Sequence, residues 1–319
     1  MIGETNFRSV FVSDLHLGYK GADIGSLNAF LRTHRFRYLY LVGDILDGWK
    51  LEKRWYWNQE YSDFLDILLG LKDNGVQIII LSGNHDEKLR QPIARLFRPL
   101  LLERFGIRLE EEVIHHTQDG RRLLVIHGDQ FDGPLLRGTS KHADEVWSRV
   151  DDLAWSRSTE EAPALEARRR RWSLGKAIAT YAKFLIGGYA EAALRRAAQD
   201  EVDGIICGHS HVPSLMTRGP RVFANCGSWT GARETGGCHT AIAEHSDGSL
   251  ALVKWPSMRT SYQDQRYSNL EPDNLNTKTD ESAKLARLAY RFWTPPRTGA
   301  PLSARLYWLS QSGRSVAYR

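Results

Sequence analysis

Leu39-Tyr40-Leu41-Val42-Gly43-Asp44-Ile45-Leu46-Asp47 passes from an unbroken apolar run to a glycine turn and two carboxylates. A short β-rich apolar run that stops at glycine predicts a buried strand, and the same event recurs along the chain. Val10-Phe11-Val12 runs into Ser13-Asp14-Leu15-His16, and Ile78-Ile79-Ile80-Leu81 into Gly83-Asn84-His85-Asp86. Leu123-Leu124-Val125-Ile126 runs into His127-Gly128-Asp129, and Gly204-Ile205-Ile206-Cys207 into Gly208-His209-Ser210-His211. Between the second and third runs, Tyr61, Phe64, Leu65, Leu68 and Leu71 recur at helical spacing. Strands alternating with helices predict an α/β domain. The carboxyl ends of its strands converge on one edge, where distant residues share a pocket.

From Glu201 onward the strands crowd together: 204–207, 221–224, 240–243 and 250–253. This spacing predicts a second sheet packed on the first. The core is expected over 1–133 and 201–256. The segment 134–200, rich in Ala, Arg and Glu, has helical pattern and reads as an inserted cap, with Leu174, Ile178, Tyr181 and Leu185 on one face. That face packs on the main body or forms a lid over an apolar ligand, with Arg168, Arg169, Arg170 and Arg171 near an anionic head group or simply solvated. Residues 257–319 carry Pro295-Pro296 and Pro301 beside Phe292, Trp293, Leu306, Tyr307, Trp308 and Leu309. They read either as a poorly ordered extension or as a docking helix.

The formal charge is +5, and the ten basic and five acidic residues from Ser257 onward carry the whole excess. The balanced body gives no case for nucleic-acid binding, whereas the basic, aromatic tail suits an anionic surface. Cys207, Cys226 and Cys238 form no C-x-x-C pair and read as structural thiols in a reducing compartment. Neither a secretory leader nor a bilayer-spanning run is legible, so a cytoplasmic location is expected.

The five strand-end clusters carry the chemistry. Asp14/His16 and His209/His211 stand two residues apart, so each pair points one way from an extended segment. Glycines 43, 83, 128 and 208 let the backbone turn beside a crowded site. Asp14, His16, Asp44, Asn84, His127, His209 and His211 combine carboxylate, imidazole and amide without thiolate, a set suited to Mn²⁺, Fe or Zn²⁺ rather than calcium. The inventory is too large for one tetrahedral ion and fits two divalent ions sharing a carboxylate. Taken singly, Asp-x-His and Gly-Asp-x-x-Asp are ordinary turn chemistry; all five clusters in this order are not.

In that order they resemble the calcineurin-like metallophosphoesterase superfamily, over roughly residues 8–256. The resemblance implies an α/β/β/α two-sheet sandwich and hydrolysis of a phosphate ester or anhydride at a dinuclear centre. It implies that Asp14, His16 and His211 bind one metal, that Asn84, His127 and His209 bind the other, that Asp44 bridges them, and that manganese is the metal expected. It further implies that His85 is the acid at the leaving oxygen and that Asp47 orients it. Asp86 and Asp129 are expected as partners of ligating imidazoles.

Within the superfamily, Asp14-Leu15-His16-Leu17-Gly18, Gly43-Asp44 followed by Gly48-Trp49, and the insertion between His127 and His209 resemble the UDP-2,3-diacylglucosamine hydrolase group. That resemblance implies a lipid-linked nucleotide substrate, cleavage in the lipid A pathway, and peripheral contact with the cytoplasmic face of the inner membrane. Arg168 to Arg171, Tyr181 and Trp229, the last in Asn225-Cys226-Gly227-Ser228-Trp229, are then the substrate-binding candidates. Best-known members of the group carry Arg after the metal-binding Asn, whereas this chain has His85, as general metallophosphoesterases do. A phosphoesterase of soluble substrates and a catalytically dead scaffold are the rival readings. His34, His115, His116, His142, His239 and His245 match no motif.

Overall fold

Three short strands, β1 (Ser9–Val12), β2 (Tyr38–Val42) and β3 (Gln77–Leu81), run parallel at the centre of the first sheet. In the computed structural model, residues 6–95, 98–132, 188–230, 238–258, 269–270 and 277–294 are described. β1 and the last four residues of β2 are wholly buried, as strands covered on both faces must be. The helices α1 (Ile24–Thr33), α2 (Gly48–Lys53) and α3 (Gln59–Asp73) follow the strands, and each begins at a side chain that accepts a backbone N–H: Asp23, Asp47 and Asn58. The short helices α4 (Pro92–Arg95) and α5 (Arg98–Phe105) lead into β4 (Ile107–Glu110), which pairs parallel with β3.

The second sheet holds β5 (Glu112–His116), β6 (Arg122–Ile126), β7 (Gly204–Cys207), β8 (Ser214–Arg218) and β9 (Arg221–Asn225), in the order β5-β6-β7-β9-β8. Here the sequence expectation needs correction. The strands after residue 237, β10 (Cys238–Glu244) and β11 (Leu250–Pro256), return to the first sheet, whose order is β11-β10-β1-β2-β3-β4. β10 lies antiparallel to β1, with Ser9 opposite Glu244. β2 occupies only one edge of β1, so the other edge was open to whichever late strand reached it. The pattern of β10, with six buried residues in a row, marks a covered strand without saying which sheet it joins.

Between the sheets, Phe11, Tyr40, Val42, Ile79 and Leu81 meet Leu123, Val125, Ile206, Ala224 and Cys226. On the outer face of the first sheet lie α1 and α3 with Trp55, Trp57 and Trp229. On the outer face of the second lies α6 (Tyr189–Gln199), packed on Leu124, Ile126, Ile205 and Phe223. α6 falls inside the expected cap segment, yet its Ala190, Ala193 and Ala197 seal the second sheet, which completes the α/β/β/α layering. Within 257–319, the helix α7 (Asp280–Trp293) packs on α2 and α3. Among the described residues, no helix is long and apolar enough to cross a membrane.

Candidate metal centre at the strand ends

β1, β2 and β3 in one sheet and β6 and β7 in the other all point their carboxyl ends at one rim. Asp14, His16, Asp44, His209 and His211 leave those strands with φ between 51° and 64°. Glu201 is the other non-glycine residue with positive φ among those described. The left-handed region is costly for residues with a Cβ, and its concentration here shows that the loops are bent to aim side chains. Gly43, at φ 80°, removes the same conflict where His127 approaches: an added Cβ would lie 2.3 Å from Nδ1 of that ring.

Each carboxylate has one oxygen anchored and one turned to the centre. Asp14 Oδ2 accepts from Ser13 Oγ (2.6 Å) and from the backbone N–H of His209 (2.9 Å). Its Oδ1 lies 3.1 Å from His211 Nε2 and 3.8 Å from His16 Nε2. Asp44 Oδ1 accepts from the backbone N–H of His85 at 2.8 Å. Its Oδ2 stands 3.3 Å from His127 Nε2 and 3.8 Å from His16 Nε2, between the two groups of donors. Asn84 Oδ1 lies 3.1 Å from His127 Nε2 and 2.9 Å from His209 Nδ1.

Ring orientations are fixed from behind. His127 Nδ1 donates to the carbonyl of Val42 at 2.9 Å, which turns Nε2 toward the centre. His209 Nε2 donates to Asp132 Oδ2 at 2.9 Å, which leaves Nδ1 as the inward nitrogen. Asp132 was not legible beforehand: Asp132-Gly133 reads as a turn, and its place five residues after His127 was the available signal. Asp86 and Asp129, expected beside imidazoles, bind elsewhere. Asp86 accepts from the backbone N–H groups of Gly83 and Ile45, and Asp129 takes both ends of the Arg90 guanidinium at 2.7 Å.

Asp14, His16 and His211 form one group of converging donor atoms, and Asp44, His127 and His209 another, each within 4.8 Å. Asp14 Oδ1 and His16 Nε2 are buried and make no hydrogen bond. A buried polar atom left so is costly. Such converging groups fit divalent cations, and oxygen with imidazole nitrogen suits hard to borderline metals.

The charges are mutually dependent. Burial alone would raise the carboxyls of Asp14 and Asp44, yet the surrounding imidazoles, chiefly His211 for the first and His127 for the second, hold both far below the usual range. Burial opposes the imidazolium of His127, but the Asp44 carboxylate pushes it up to about 10. Burial and the nearby His85 lower His16. Asp86 is pushed up to about 6 by burial and by Asp44.

Beside these groups, His85 Nδ1 lies 3.4 Å from Asp47 Oδ1, and Nε2 lies 4.0 Å from Asp44 Oδ2. Trp49 covers the ring at 3.9 Å between centroids. Burial opposes ionisation of Asp47, but His85 brings it down to about 2.

The substrate-binding candidates fare differently. Arg168, Arg169, Arg170, Arg171 and Tyr181 lie outside the described residues. Trp229, expected beside the pocket, is fully buried and stacks on His239 at 5.0 Å; it props the site from behind, donating its backbone N–H to the carbonyl of Asp14 at 3.2 Å. Its ring is core because Phe30 and His239 close around it. The thiols of Cys207 and Cys226 are raised by burial, the first to about 12, in keeping with structural roles.

A family profile described as calcineurin-like phosphoesterase matches residues 7–213. A Porphyromonas gingivalis protein named UDP-2,3-diacylglucosamine hydrolase is 26% identical over 229 residues, spanning 63% of this chain and 82% of that one. A protein of the same name from Cellvibrio japonicus is 26% identical over 262 residues, spanning 77% and 98%. Among solved structures, that of an archaeal phosphodiesterase is 12% identical, covers 77% of this chain and 98% of its own, and has a TM-score of 0.38.

Proposed function

Given that this chain belongs to the calcineurin-like phosphoesterase family and so is a metal-dependent phosphoester hydrolase, we propose that Asp14, His16 and His211 would hold one divalent cation, that Asn84, His127 and His209 would hold a second, and that the Asp44 carboxylate would serve both. Manganese is the proposed metal, with iron or zinc as alternatives of the same donor preference. The observation that carries this reading is the pair of buried donors without hydrogen bonds, Asp14 Oδ1 and His16 Nε2, at the meeting point of the strand ends. When bound, such cations supply Lewis acidity toward phosphoryl oxygens and a hydroxide nucleophile at neutral pH.

The chain's own residues supply the proton. Asp47 orients His85 through Nδ1 at 3.4 Å. His85 Nε2, on the side of Asp44, gives its proton to the leaving oxygen as the P–O bond breaks. Trp49 keeps water from one face of the ring.

For substrate, we infer a lipid-linked nucleotide of the UDP-2,3-diacylglucosamine type, cleaved at the pyrophosphate to UMP and an acylated sugar 1-phosphate. The names of the two relatives support this. The segment between Asp132 and α6 is proposed as the cap over the acyl chains, with Arg168 to Arg171 and Tyr181 on the ligand. Cytoplasmic placement with peripheral contact at the inner membrane follows from such a substrate. A second reading, turnover of soluble phosphodiesters or phosphomonoesters, is favoured by His85 directly after Asn84. Purified protein with Mn²⁺ is assayed on UDP-2,3-diacylglucosamine and on bis(4-nitrophenyl) phosphate. Turnover of the second with none of the first sinks the lipid assignment.

A further inference from the structure

The family match ends at residue 213, yet a residue eighty positions later sits against Gly48, the neighbour of the carboxylate that orients the proton donor. α7 is capped by Thr279, whose Oγ1 accepts from the backbone N–H of Ser282, with Asp280 and Glu281 in its first turn and Arg291 in its last. It is tied down along its length. Glu281 pairs with Arg104 at 3.0 Å, Asp66 accepts from the backbone N–H of Lys278 at 2.9 Å, and Tyr290 meets Trp55 edge-on at 4.9 Å.

At its end Trp293 is 1% exposed and its ring edge Cζ3–Cε3 is set against Gly48. A Cβ added to Gly48 would stand 2.1 Å from Trp293 Cζ3 and 2.6 Å from the carbonyl oxygen of His85. Glycine is therefore required there for space, and the indole fills that space. Gly48 also donates its backbone N–H to the carbonyl of His85 at 3.1 Å, and it is the immediate neighbour of Asp47. Asp47 Oδ1 in turn caps α2 by accepting from the backbone N–H of Lys50 at 3.1 Å. One ring from the C-terminal segment thus bears on the peptide that links the proton donor to its orienting carboxylate.

We propose that Trp293 is a positioning residue for the acid step: seated on Gly48, it fixes the separation of Asp47 and His85 and so the direction of the Nε2 proton. The inference rests on the reading of His85 as the acid. A core tryptophan with no such role would, when removed, lower stability and affect all substrates alike. A positioning tryptophan would act where protonation of the leaving oxygen limits the rate.

The test uses the full chain with Mn²⁺ and the variants His85→Ala, Trp293→Ala, Trp293→Phe and His85→Ala/Trp293→Ala. Substrates are aryl phosphodiesters graded from 4-nitrophenyl to 4-methylphenyl leaving groups. Trp293→Ala is expected to keep both metals and to lose roughly 10- to 100-fold in kcat on the poorest leaving group, as a displacement of about 1 Å does. The loss should shrink toward the nitrophenyl ester, with KM changed less than about twofold. Trp293→Phe should recover most of it, and the double variant should be no slower than His85→Ala. Independently of activity, hydrogen exchange at the Gly48 amide should quicken in Trp293→Ala.

Equal loss on every leaving group, additivity with His85→Ala, or unchanged exchange at Gly48 overturns the inference while leaving the acid reading intact. Absence of leaving-group dependence in His85→Ala overturns the acid reading, and the inference with it. Should Trp293→Ala not fold, Trp293→Leu carries the same comparison, and a leucine variant equal to wild type in leaving-group slope and in Gly48 exchange then counts against it.

Discussion

Two buried clusters of carboxylate and imidazole sit at opposite ends of β1, and they are built to opposite rules. At the amino end, Glu244 accepts from Arg8 at 2.8 Å, from Ser9 Oγ at 2.6 Å, from the backbone N–H of Gln118 at 2.7 Å, and from His115 Nε2 at 2.9 Å. Tyr40 completes it by donating to His115 Nδ1 at 2.9 Å. Glu244, Ser9 and Tyr40 belong to the first sheet and His115 to the second, so the cluster pins the sheets together. At the carboxyl end, Asp14 Oδ1 and His16 Nε2 remain unbonded amid other donors. The same residue types serve structure when every lone pair is taken within the chain, and a ligand when some are withheld. A histidine beside a buried carboxylate is therefore uninformative until its other contacts are counted.

The contrast breaks hardest at Asp44. Asp44→Ala should lose both metals by elemental analysis and bring turnover to background, because one side chain borders both donor groups; retention of either activity or full metal would refute a joining role. Next comes Glu244→Ala, which strands His115 and Arg8. It should cost about 3 kcal/mol in urea unfolding, the lower end for breaking a buried ion pair, while kcat at 25 °C stays unchanged. A large drop in kcat would show that the two ends are not separate in kind. Asp132→Ala should then weaken metal binding roughly 10-fold in chelator competition, as loss of an orienting carboxylate behind an imidazole does, with Asp132→Asn affected less.

The smallest effect is one of pH. The Glu244 carboxyl, which burial would raise, is brought down to about 2 chiefly by His115, with Ser9, Gln118 and Arg8 adding to it. A lowered folded-state value means that this stability is fully present above the unfolded value of about 4.3. It is lost as pH falls toward 2. The gap in unfolding free energy between wild type and Glu244→Gln should therefore be constant above about pH 5 and close below it. A gap that persists unchanged at pH 2.5 would remove Glu244 as its source.

Much of the rim was legible because each donor cluster directly follows an apolar run, and both signals are local. Leu39 to Val42 announces a strand and Gly43-Asp44 its end within a few residues. The helix expected from Tyr61 to Leu71 lies inside α3 for the same reason. What escaped were pairings across the chain. The sheet joined by β10 depends on the free edge of β1, more than 200 residues away. The role of Asp132 depends on a histidine brought back by β7, and the burial of Trp229 depends on Phe30 and His239 closing over it.

The sequence by itself determined the apolar runs that become β1, β2, β3, β6, β7, β9, β10 and β11, the donor types at the strand ends, and the chemistry those donors suit, since periodicity and turn residues act over a few positions. Only the tertiary structure decided which carboxylate oxygen faces inward, which ring nitrogen is anchored from behind, and that Trp293 rests on Gly48. Those are contacts between surfaces that meet after the chain has closed on itself, and local spacing carries no record of them.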